Sequence, residues 1–389
     1  YALANNKRVV VSTNTINLQE QLLAKDIPTL VEALEAADDN ALEGLRFVPL
    51  KGRANYLCLK RWLHLRSGDA LSVDEARALS KVLVWLSTTA TGDRSELGMA
   101  HRGASAAWDR LSAQGAQDCQ GVHGVCFLRA ARDRAAAAHL VIVNHALLMS
   151  DLVAGRSLIP DYDLLIIDEA HHLEEEATKH LGFEVAQAGI DDYLQSLGGD
   201  RGLLGAVAAS MRVSSAAETR TKTAEQASMG TASVVPSVRE SLAGMFRTLG
   251  AVLEHSQGGD PAQETRITPA TRSQPGWSQL EIQWENADAC LAELQRELSG
   301  LVSSLDGLGE AGVPGYEGLV MESLNAAQRG SELRQRLAEF IPQPGPEGVY
   351  WVARSRRTGD LVLQSAPLHV GKALEKLLYS QKESVVLTS

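Results

Sequence analysis

The sequence predicts an α/β protein in which a parallel sheet is interrupted by two mostly helical insertions. Three observations support this prediction: short apolar runs lie far apart, each run ends in polar residues, and long helical patterns separate them. The apolar runs are residues 9–11, 140–143, 164–167 and 385–387. Continuous runs rich in β-branched residues are typical of strands that are buried on both faces of a parallel sheet.

Length and composition narrow the class of protein. At roughly 150 residues per domain, 389 residues predict two to three domains. Hydrophobic residues at 44% and charged residues at 22% exclude a disordered tail and a collagen. No uncharged apolar run reaches the roughly 18 residues that span a bilayer, so no membrane partner is expected.

Charge and cysteine content give two further expectations. The net charge of −11 argues against binding nucleic acid over the whole surface, although it leaves room for a local basic groove. Four cysteines in 389 residues argue against a disulfide scaffold and favour a reducing compartment. We therefore expect a cytoplasmic location.

Polar pairs follow all four predicted strands. They are Ser12-Thr13, Asn144-His145, Asp168-Glu169 and Thr388-Ser389. Ligands of open α/β sheets bind just beyond the carboxyl ends of the strands, so the four pairs predict one active edge. Ordinary turn chemistry after strands is the alternative.

The two insertions differ in character. Residues 51–137 hold three of the four cysteines, whereas residues 181–375 are mostly helical in pattern. A heptad seam in the second insertion predicts a long helix. It comprises Trp277, Leu280, Trp284, Ala287, Leu291, Leu294, Leu298 and Leu301. A second helix over 319–340, after Gly-rich 307–318, predicts an antiparallel helical hairpin.

Shorter features complete the second insertion. Residues 256–276 contain Gly, Pro and Gln without period, which predicts a loop. Residues 349–353 and 361–363 flank the turn-forming stretch 357–360 and predict a β-hairpin.

The tetrapeptide Asp168-Glu169-Ala170-His171 follows the third apolar run directly. An Asp at the end of a buried strand can hold Mg²⁺ against nucleotide phosphates. Glu169 is then placed to orient and deprotonate the attacking water. The alternative is a pair of acids that caps a helix and complements its dipole.

The order of these parts resembles that of the DinG/XPD-like superfamily 2 iron–sulfur DNA helicases, with the bacterial DinG type the closer match. Four segments carry the resemblance. Residues 9–19, VVVSTNTINLQ, are similar to motif Ia, and residues 51–58, KGRANYLC, are similar to the segment with the first cluster cysteine. Residues 143–147, VNHAL, are similar to the stretch before the DEAH box, and residues 386–389, VLTS, are similar to the first half of the Ser-Ala-Thr motif.

The resemblance implies a RecA-like motor domain carrying an iron–sulfur domain and an arch domain. The implied boundaries are 1–50, 138–180 and 376–389 for the motor, 51–137 for the iron–sulfur domain and 181–375 for the arch. The implied activity is ATP-dependent 5′→3′ unwinding of DNA with Mg²⁺, acting on single-stranded and forked DNA in repair or replication-associated processing.

One motif of such helicases is missing. The 389 residues contain no GxxxxGK[ST] phosphate-binding loop. In the family this loop would lie before Tyr1, and a second motor domain would follow Ser389. The sequence is therefore expected to be the middle of a helicase that is inactive alone.

The resemblance also implies site residues. Asp168 would position Mg²⁺, Glu169 would activate water, and His171 would link the nucleotide site to the DNA. Residues 51–66 hold five basic residues and no acidic one, which favours a path for phosphates over a solvated helix face. The predicted DNA contacts are Thr13, Thr15, Gln19, Arg53, Lys60, Arg61, Asn144 and His145.

The cysteines depart from the family pattern. The family supplies four thiolates to a 4Fe–4S cluster, one from the first segment and three from the second. Here Cys58 is joined only by Cys119 and Cys126, so His123 is the candidate fourth ligand. A Cys₃His zinc site and a segment without metal remain alternatives. Cys290, beside the heptad seam, is interpreted as core packing.

Two functions outside the helicase class remain open. One is a helicase relic that binds nucleic acid without catalysis, and the other is a zinc-stabilised structural module. A phosphate-binding loop upstream of Tyr1 would favour the enzyme over the relic, and metal analysis would identify the zinc module.

Overall fold

The computed structural model describes residues 2–36, 42–66, 71–99, 103–114, 122, 124–198, 202–256, 264–309, 312–355 and 358–389. The chain divides into two compact units. The first unit comprises residues 1–181 and 369–389, and the second comprises residues 182–368. Among the described helices, none combines the length and the apolar character that a bilayer crossing needs.

The strands, in chain order, are β1 (Val9–Thr13), β2 (Phe47–Pro49), β3 (Leu140–Asn144), β4 (Leu164–Ile167), β5 (Phe183–Ala186), β6 (Thr265–Ile267), β7 (Gly348–Arg354), β8 (Leu361–Pro367) and β9 (Ser384–Leu387). The helices are α1 (Ala2–Asn5), α2 (Ile16–Gln21), α3 (Ile27–Glu35), α4 (Leu59–Arg66), α5 (Val73–Trp85), α6 (Ala104–Asp109), α7 (Phe127–Ala136), α8 (His145–Val153), α9 (Leu173–Leu181), α10 (Gln187–Leu197), α11 (Leu203–Val213), α12 (Glu218–Ser256), α13 (Pro269–Arg272), α14 (Pro275–Leu308), α15 (Tyr316–Phe340) and α16 (Val370–Leu377).

The first unit is built on a parallel sheet with the strand order β2-β3-β1-β4-β9. All four predicted strands belong to it, and the α/β class with helical insertions is confirmed. The central strands are buried because neighbouring strands and helices cover their apolar residues; Val10, Val141 and Ile142 are fully enclosed.

The two edge strands of this sheet, β2 and β9, differ from what the sequence predicts. β9 was expected to be buried on both faces, yet Val386 is 50% exposed and Leu387 is 56% exposed. The reason is position: within the described residues β9 pairs only with β4 and therefore forms an edge. The opposite edge, β2, was not predicted, because three residues ending in Pro49 carry too little periodic signal.

The cysteine-bearing insertion has its own apolar core. Leu57, Trp62, Trp85, Trp108 and Phe127 lie in one cluster formed by α4, α5, α6 and the start of α7. The indole N–H of Trp108 donates to the carbonyl of Ala54, at 2.6 Å, so its buried polar atom is satisfied. A small segment is thus held by four large aromatic side chains.

The second unit contains an antiparallel sheet in the order β5-β8-β7-β6. The predicted hairpin is confirmed as β7 and β8. The predicted loop over 256–276 is wrong in part, because β6 and α13 form there. Thr268 caps α13, and β6 gains its hydrogen bonds from β7, a tertiary contact that local composition does not reveal.

The heptad seam is confirmed. Its eight predicted residues are all buried on α14. α14 packs against α15, where Arg334 donates to both carboxylate oxygens of Asp288 at 2.6 and 2.9 Å. These two residues lie about five turns from the connection on either helix, as in an antiparallel hairpin. α14 also packs along the length of α12, which was not predicted. Cys290 is half-buried against this core, as expected.

Candidate active site

The register of the parallel sheet aligns the carboxyl ends of its central strands. Thr13 pairs with Asn144, and Ser12 pairs with Ile167, so Asp168 follows beside Thr13. Thr388 follows Leu387, which pairs with Ile167. The polar pairs predicted from the sequence therefore meet at the carboxyl-terminal end of the strands. We call this end the sheet edge; it is distinct from the lateral edge strands β2 and β9.

Asp168 is held at the sheet edge from two sides. Its backbone N–H donates to the carbonyl of Ser12 at 2.8 Å. Its Oδ1 accepts a hydrogen bond from Oγ1 of Thr388 at 3.0 Å. The backbone N–H of Thr388 donates to Ile167 at 2.8 Å, which fixes the hydroxyl donor in turn. The carboxylate is thus oriented before any ligand arrives.

Glu169 has an unusual backbone. Its φ of 52° and ψ of 42° place it in the left-handed region, which non-glycine residues rarely adopt. Such a conformation costs about 1–3 kcal/mol and concentrates at functional sites. Glu169 is half-exposed and directly precedes the short helical turn Ala170–His172.

His171 lies on this turn beside two partners. Its Nδ1 lies 2.9 Å from Oγ of Ser389 and 3.4 Å from Oε2 of Glu169. Its ring also contacts His172, with 4.0 Å between ring centroids. The three predicted catalytic residues, Asp168, Glu169 and His171, are therefore adjacent in space as well as in sequence.

A buried pair joins strand β1 to helix α8 behind the sheet edge. Oγ of Ser12 lies 2.7 Å from Nδ1 of His145, and both residues are fully buried. Burial lowers the pKa of His145, while backbone groups of Glu169 and Asp168 act in the opposite direction. The imidazole is therefore held neutral. The sequence analysis placed Ser12 in one of the four polar pairs but assigned it no role of its own.

Three predicted DNA contacts require correction. Thr13, Gln19 and His145 are each 0% exposed, so their side chains do not reach a ligand on the surface. Nε2 of Gln19 instead donates to the carbonyls of Ile142 at 2.6 Å and Leu50 at 3.2 Å, tying α2 to the sheet. The physical reason is burial: the Gln19 amide bonds to backbone carbonyls inside the unit, and the His145 ring lies 2.7 Å from the Ser12 hydroxyl.

Some of these buried atoms are unsatisfied. Among the described residues, Oγ1 of Thr13, Oε1 of Gln19 and Nε2 of His145 have no hydrogen-bond partner. Each such group costs about 1–3 kcal/mol when it is desolvated. Three unsatisfied atoms beneath one edge of a sheet indicate a place that is not built for stability alone.

Two other predicted contacts cap helices. Oγ1 of Thr15 accepts from the N–H of Leu18 at 3.2 Å and caps α2. Oδ1 of Asn144 accepts from the N–H of Leu147 at 3.0 Å and caps α8. Each cap uses one acceptor lone pair, so the hydroxyl proton of Thr15 and the amide NH₂ of Asn144 are left to donate to a ligand.

A cleft of about 320 Å³ opens next to Asn144. We call it the basic cleft, because Arg53 and Arg132 line it. The full lining is Leu50, Lys51, Gly52, Arg53, Ala54, Asn55, Gln114, Leu128, Arg132, Asn144, Ala146, Leu147, Ser150 and Leu158. The structure thus brings together Arg53 and Asn144, two predicted DNA contacts that are distant in sequence.

Lys51 does not contribute a surface charge to this cleft. Its side chain is only 4% exposed, and Nζ lies 3.0 Å from Oε1 of Glu20 and 2.8 Å from Oδ2 of Asp93. The sequence assigned Lys51 to the path for phosphates. Two carboxylates instead neutralise the charge of Lys51, and the residue fastens α2 to the start of the insertion.

Arg61 and Lys60 lie on α4. The Arg61 guanidinium donates to the backbone carbonyls of Ser112 at 2.9 Å and Gln114 at 2.6 Å. It therefore holds the chain that leads into the second cysteine segment. Lys60 is half-buried on the same helix.

Only part of the predicted metal site is described. Cys119 and His123 lie outside the described residues, while Cys58 is buried and Cys126 is half-buried. Their chain neighbours Leu57 and Phe127 share one apolar core. Among the described residues, no group of three His, Cys, Asp or Glu side chains could hold a metal ion. The described residues supply two thiols suited to an iron–sulfur or zinc site and do not complete one.

Comparison with known proteins gives related sequences. The chain is similar to an ATP-dependent helicase DinG of Mycobacterium tuberculosis, with 37% identity over 211 residues, 48% of this chain and 30% of the relative. It is similar to a 3′-5′ exonuclease DinG of Bacillus subtilis, with 32% identity over 200 residues, 51% of this chain and 21% of the relative. An ATP-dependent DNA helicase DinG of Photobacterium profundum matches the whole chain at 24% identity and is covered to 55%.

The other comparisons add less. No protein-family model matches the chain. A solved XPD helicase structure is similar over 99% of this chain and 51% of its own, with 11% identity and a TM-score of 0.39. The chain spans 21–55% of the length of the three relatives named above. These sequence matches support the resemblance to DinG-type helicases, at 32–37% identity over about half of the chain and at 24% identity over the whole of it.

Proposed function

We propose that this chain is the central part of an ATP-dependent 5′→3′ DNA helicase, in which ATP hydrolysis drives translocation on single-stranded DNA and separation of a duplex. The observation that supports it most is the placement of Asp168 and Glu169 at the sheet edge, directly after β4, with Glu169 in a left-handed conformation. In this proposal residues 51–137 form the iron–sulfur domain and 181–375 the arch, acting in DNA repair or replication-associated processing.

The proposed chemistry uses residues of the sheet edge. A magnesium ion, when bound, neutralises the charge that develops on the phosphates. Asp168 would hold that ion, because its carboxylate is oriented by Thr388. Glu169 would orient a water molecule and accept its proton. His171, which touches both Glu169 and Ser389, would keep the carboxylate directed at the water.

The proposed DNA path uses the basic cleft. Arg53 and Arg132 would contact phosphates, since guanidinium groups bind phosphate oxygens in a forked geometry. Asn144 and Thr15 would add neutral hydrogen bonds to the backbone. A path made mainly of phosphate contacts selects little sequence, which suits a translocating enzyme.

The test of this function is Glu169→Gln in the gene product that contains this chain. ATP binding should persist, while turnover should fall about 10²–10⁴-fold, because a general base is lost. The matched control is Glu174→Gln, an exposed acid in the first turn of α9. Unchanged turnover in Glu169→Gln would remove the assigned role. Duplexes with 5′ or 3′ overhangs give the direction of unwinding.

The chain of 389 residues provides a second test. It contains no GxxxxGK[ST] motif, so it should bind ATP weakly and hydrolyse little. DNA-stimulated hydrolysis at about 1–100 s⁻¹ by this chain alone would contradict the need for that loop. If the protein is instead a helicase relic, the gene product should bind DNA without hydrolysing ATP.

We also propose that Cys58, Cys119 and Cys126 hold a 4Fe–4S cluster, with His123 as the candidate fourth ligand. Two of these thiols flank one apolar core, which supports their convergence. Anaerobically prepared protein should show broad visible absorbance that is lost in Cys58→Ser and kept in Cys290→Ser. Zinc without iron in elemental analysis would favour the zinc module.

A further inference from the structure

His145 occupies a junction that the proposed chemistry does not use. It is the first residue of α8, directly after the capping residue Asn144, and it is fully buried. Its ring lies between the end of β1, through Ser12, and the loop that carries Asp168 and Glu169. Ser12 contacts this loop as well, because its carbonyl accepts from the N–H of Asp168 at 2.8 Å.

The two ring nitrogens have different surroundings. Nδ1 lies 2.7 Å from the hydroxyl of Ser12, so it is satisfied. Nε2 is buried and has no hydrogen-bond partner among the described residues. The backbone groups of Glu169 and Asp168 raise the pKa of the ring, as carbonyl oxygens near an imidazole do. Nε2 is therefore the ring nitrogen that is open to a further partner.

The protonation state follows from this arrangement. Burial lowers the pKa of His145, so the neutral ring carries a single N–H. When the Ser12 hydroxyl donates to Nδ1, the proton lies on Nε2. That N–H is then available to a backbone carbonyl of the loop that carries Asp168 and Glu169, which is joined to Ser12 through the N–H of Asp168.

We propose that His145 is a positioning residue that couples the segment after β1 to the Asp168–Glu169 loop, through Ser12 on Nδ1 and a backbone carbonyl of the loop on Nε2. The open Nε2–H closes on the loop in the nucleotide-bound state. The end of β1 leads into Thr15 and α2, on the side proposed for DNA. His145 therefore transmits DNA binding to the residues that hydrolyse ATP. This inference rests on the proposed function.

The test compares two amides in the gene product. Glutamine can place a donor near the position of Nε2, whereas asparagine reaches only the position of Nδ1. His145→Asn should lower the DNA-stimulated kcat about tenfold with little change in the KM for ATP, as expected for one lost hydrogen bond. His145→Gln should recover most of the rate. Ser12→Ala, like His145→Gln, loses the contact at Nδ1 and keeps a donor at the position of Nε2, so it should resemble His145→Gln.

Controls separate coupling from folding. His180→Gln changes a half-buried histidine on α9 and should leave the stimulation by DNA unchanged. Equal stimulation in wild type and His145→Asn would overturn the inference and leave the proposed function standing. A wild type without DNA-stimulated hydrolysis would instead overturn the proposed function. Equal loss in His145→Asn and His145→Gln, with equally lowered melting temperatures, would show a purely structural role and also overturn the inference.

A spectroscopic test needs only the 389-residue chain. The ¹⁵N chemical shifts of His145, assigned by comparison with His145→Gln, should show a neutral ring protonated on Nε2. A ring protonated on Nδ1 would have no donor for the loop and would overturn the proposal without any measurement of activity.

Discussion

The seam of α14 and the sheet edge meet opposite requirements. Along the seam, eight predicted apolar residues are all buried and pack into one continuous core. At the sheet edge, Thr13, Gln19 and His145 bury polar atoms without partners among the described residues, and Glu169 adopts a left-handed backbone. Stability is concentrated in the first region, while the second keeps unsatisfied groups and strain.

One residue of the seam shares a feature of the sheet edge. The indole nitrogen of Trp277 is buried without a partner among the described residues. The Arg272 guanidinium lies over its ring, 4.7 Å from the centroid, and donates to the carbonyl of Ile341 at 2.6 Å. Here the cation–π contact and the apolar burial offset the missing bond.

The largest effect is expected in the seam. Leu294→Ala removes a side chain that is 1% exposed, so it should lower the free energy of unfolding by about 2–5 kcal/mol. Ile282→Ala, on the same helix but 52% exposed, should change it by less than about 0.5 kcal/mol. Urea unfolding monitored by circular dichroism measures both. Similar losses in the two variants would contradict the seam as the source of stability.

A polar test lies in the first unit. Oδ1 of the buried Asp151 accepts from the N–H of Leu158 at 2.8 Å and of Ile159 at 3.0 Å. Asp151→Ala leaves both donors unpaired and should cost about 1–3 kcal/mol.

Asp151→Asn is the matched variant, since it keeps an oxygen acceptor. Burial raises the pKa of Asp151, so removing the charge relieves part of a desolvation penalty. The Asn variant should unfold at a higher urea concentration than the Ala variant. Equal midpoints would mean that these two hydrogen bonds contribute nothing measurable to stability. Satisfied buried polar groups at Asp151 would then not differ in stability from the unsatisfied ones at the sheet edge.

The sequence predicted the parts of the molecule that repeat a pattern. The seam at Trp277–Leu301 and the strand at Leu164–Ile167 were found because periodicity and apolar runs are written locally. The polar pairs predicted the sheet edge because parallel strands align their carboxyl ends. Asp168 and Glu169 followed from their place after a strand.

What the sequence did not predict depends on contacts between distant residues. Lys51 was assigned to the DNA path because nothing in its neighbourhood shows Glu20 and Asp93 as partners. Gln19 and His145 were taken as exposed for the same reason, since burial under the sheet edge is a tertiary property. β6 forms only through pairing with β7. The charge or polarity of a residue alone does not distinguish a side chain that contacts a ligand at the surface from one that forms a buried hydrogen bond or ion pair.

The strain at Glu169 gives the third prediction. Glu169→Gly should be more stable than Glu169→Ala by about 1 kcal/mol, because glycine adopts positive φ without the clash of a Cβ atom. In the regular helix α9 the order should reverse: Thr178→Ala should be more stable than Thr178→Gly by about 1 kcal/mol. Thermal unfolding of the four variants measures both differences. The same order at both positions would mean that Glu169 is not strained.

The smallest effect concerns pH and the buried ring of His145. Burial lowers its pKa in the folded chain, whereas the unfolded chain takes up a proton near pH 6.5. Since the unfolded state binds more protons there, the free energy of unfolding should fall as pH decreases from 7.5 to 5.5. His145→Gln removes this contribution and should show a weaker loss of stability over that range. Burial also lowers the pKa of His180 and raises the pKa of Asp151. Both residues are present in wild type and in His145→Gln, so their contributions to the pH dependence cancel in the difference. His369→Gln, at an exposed position before α16, is the matched control. Unfolding midpoints measured at both pH values decide the matter, and identical pH dependence in wild type and His145→Gln would mean that the ring does not stay neutral beneath the sheet edge.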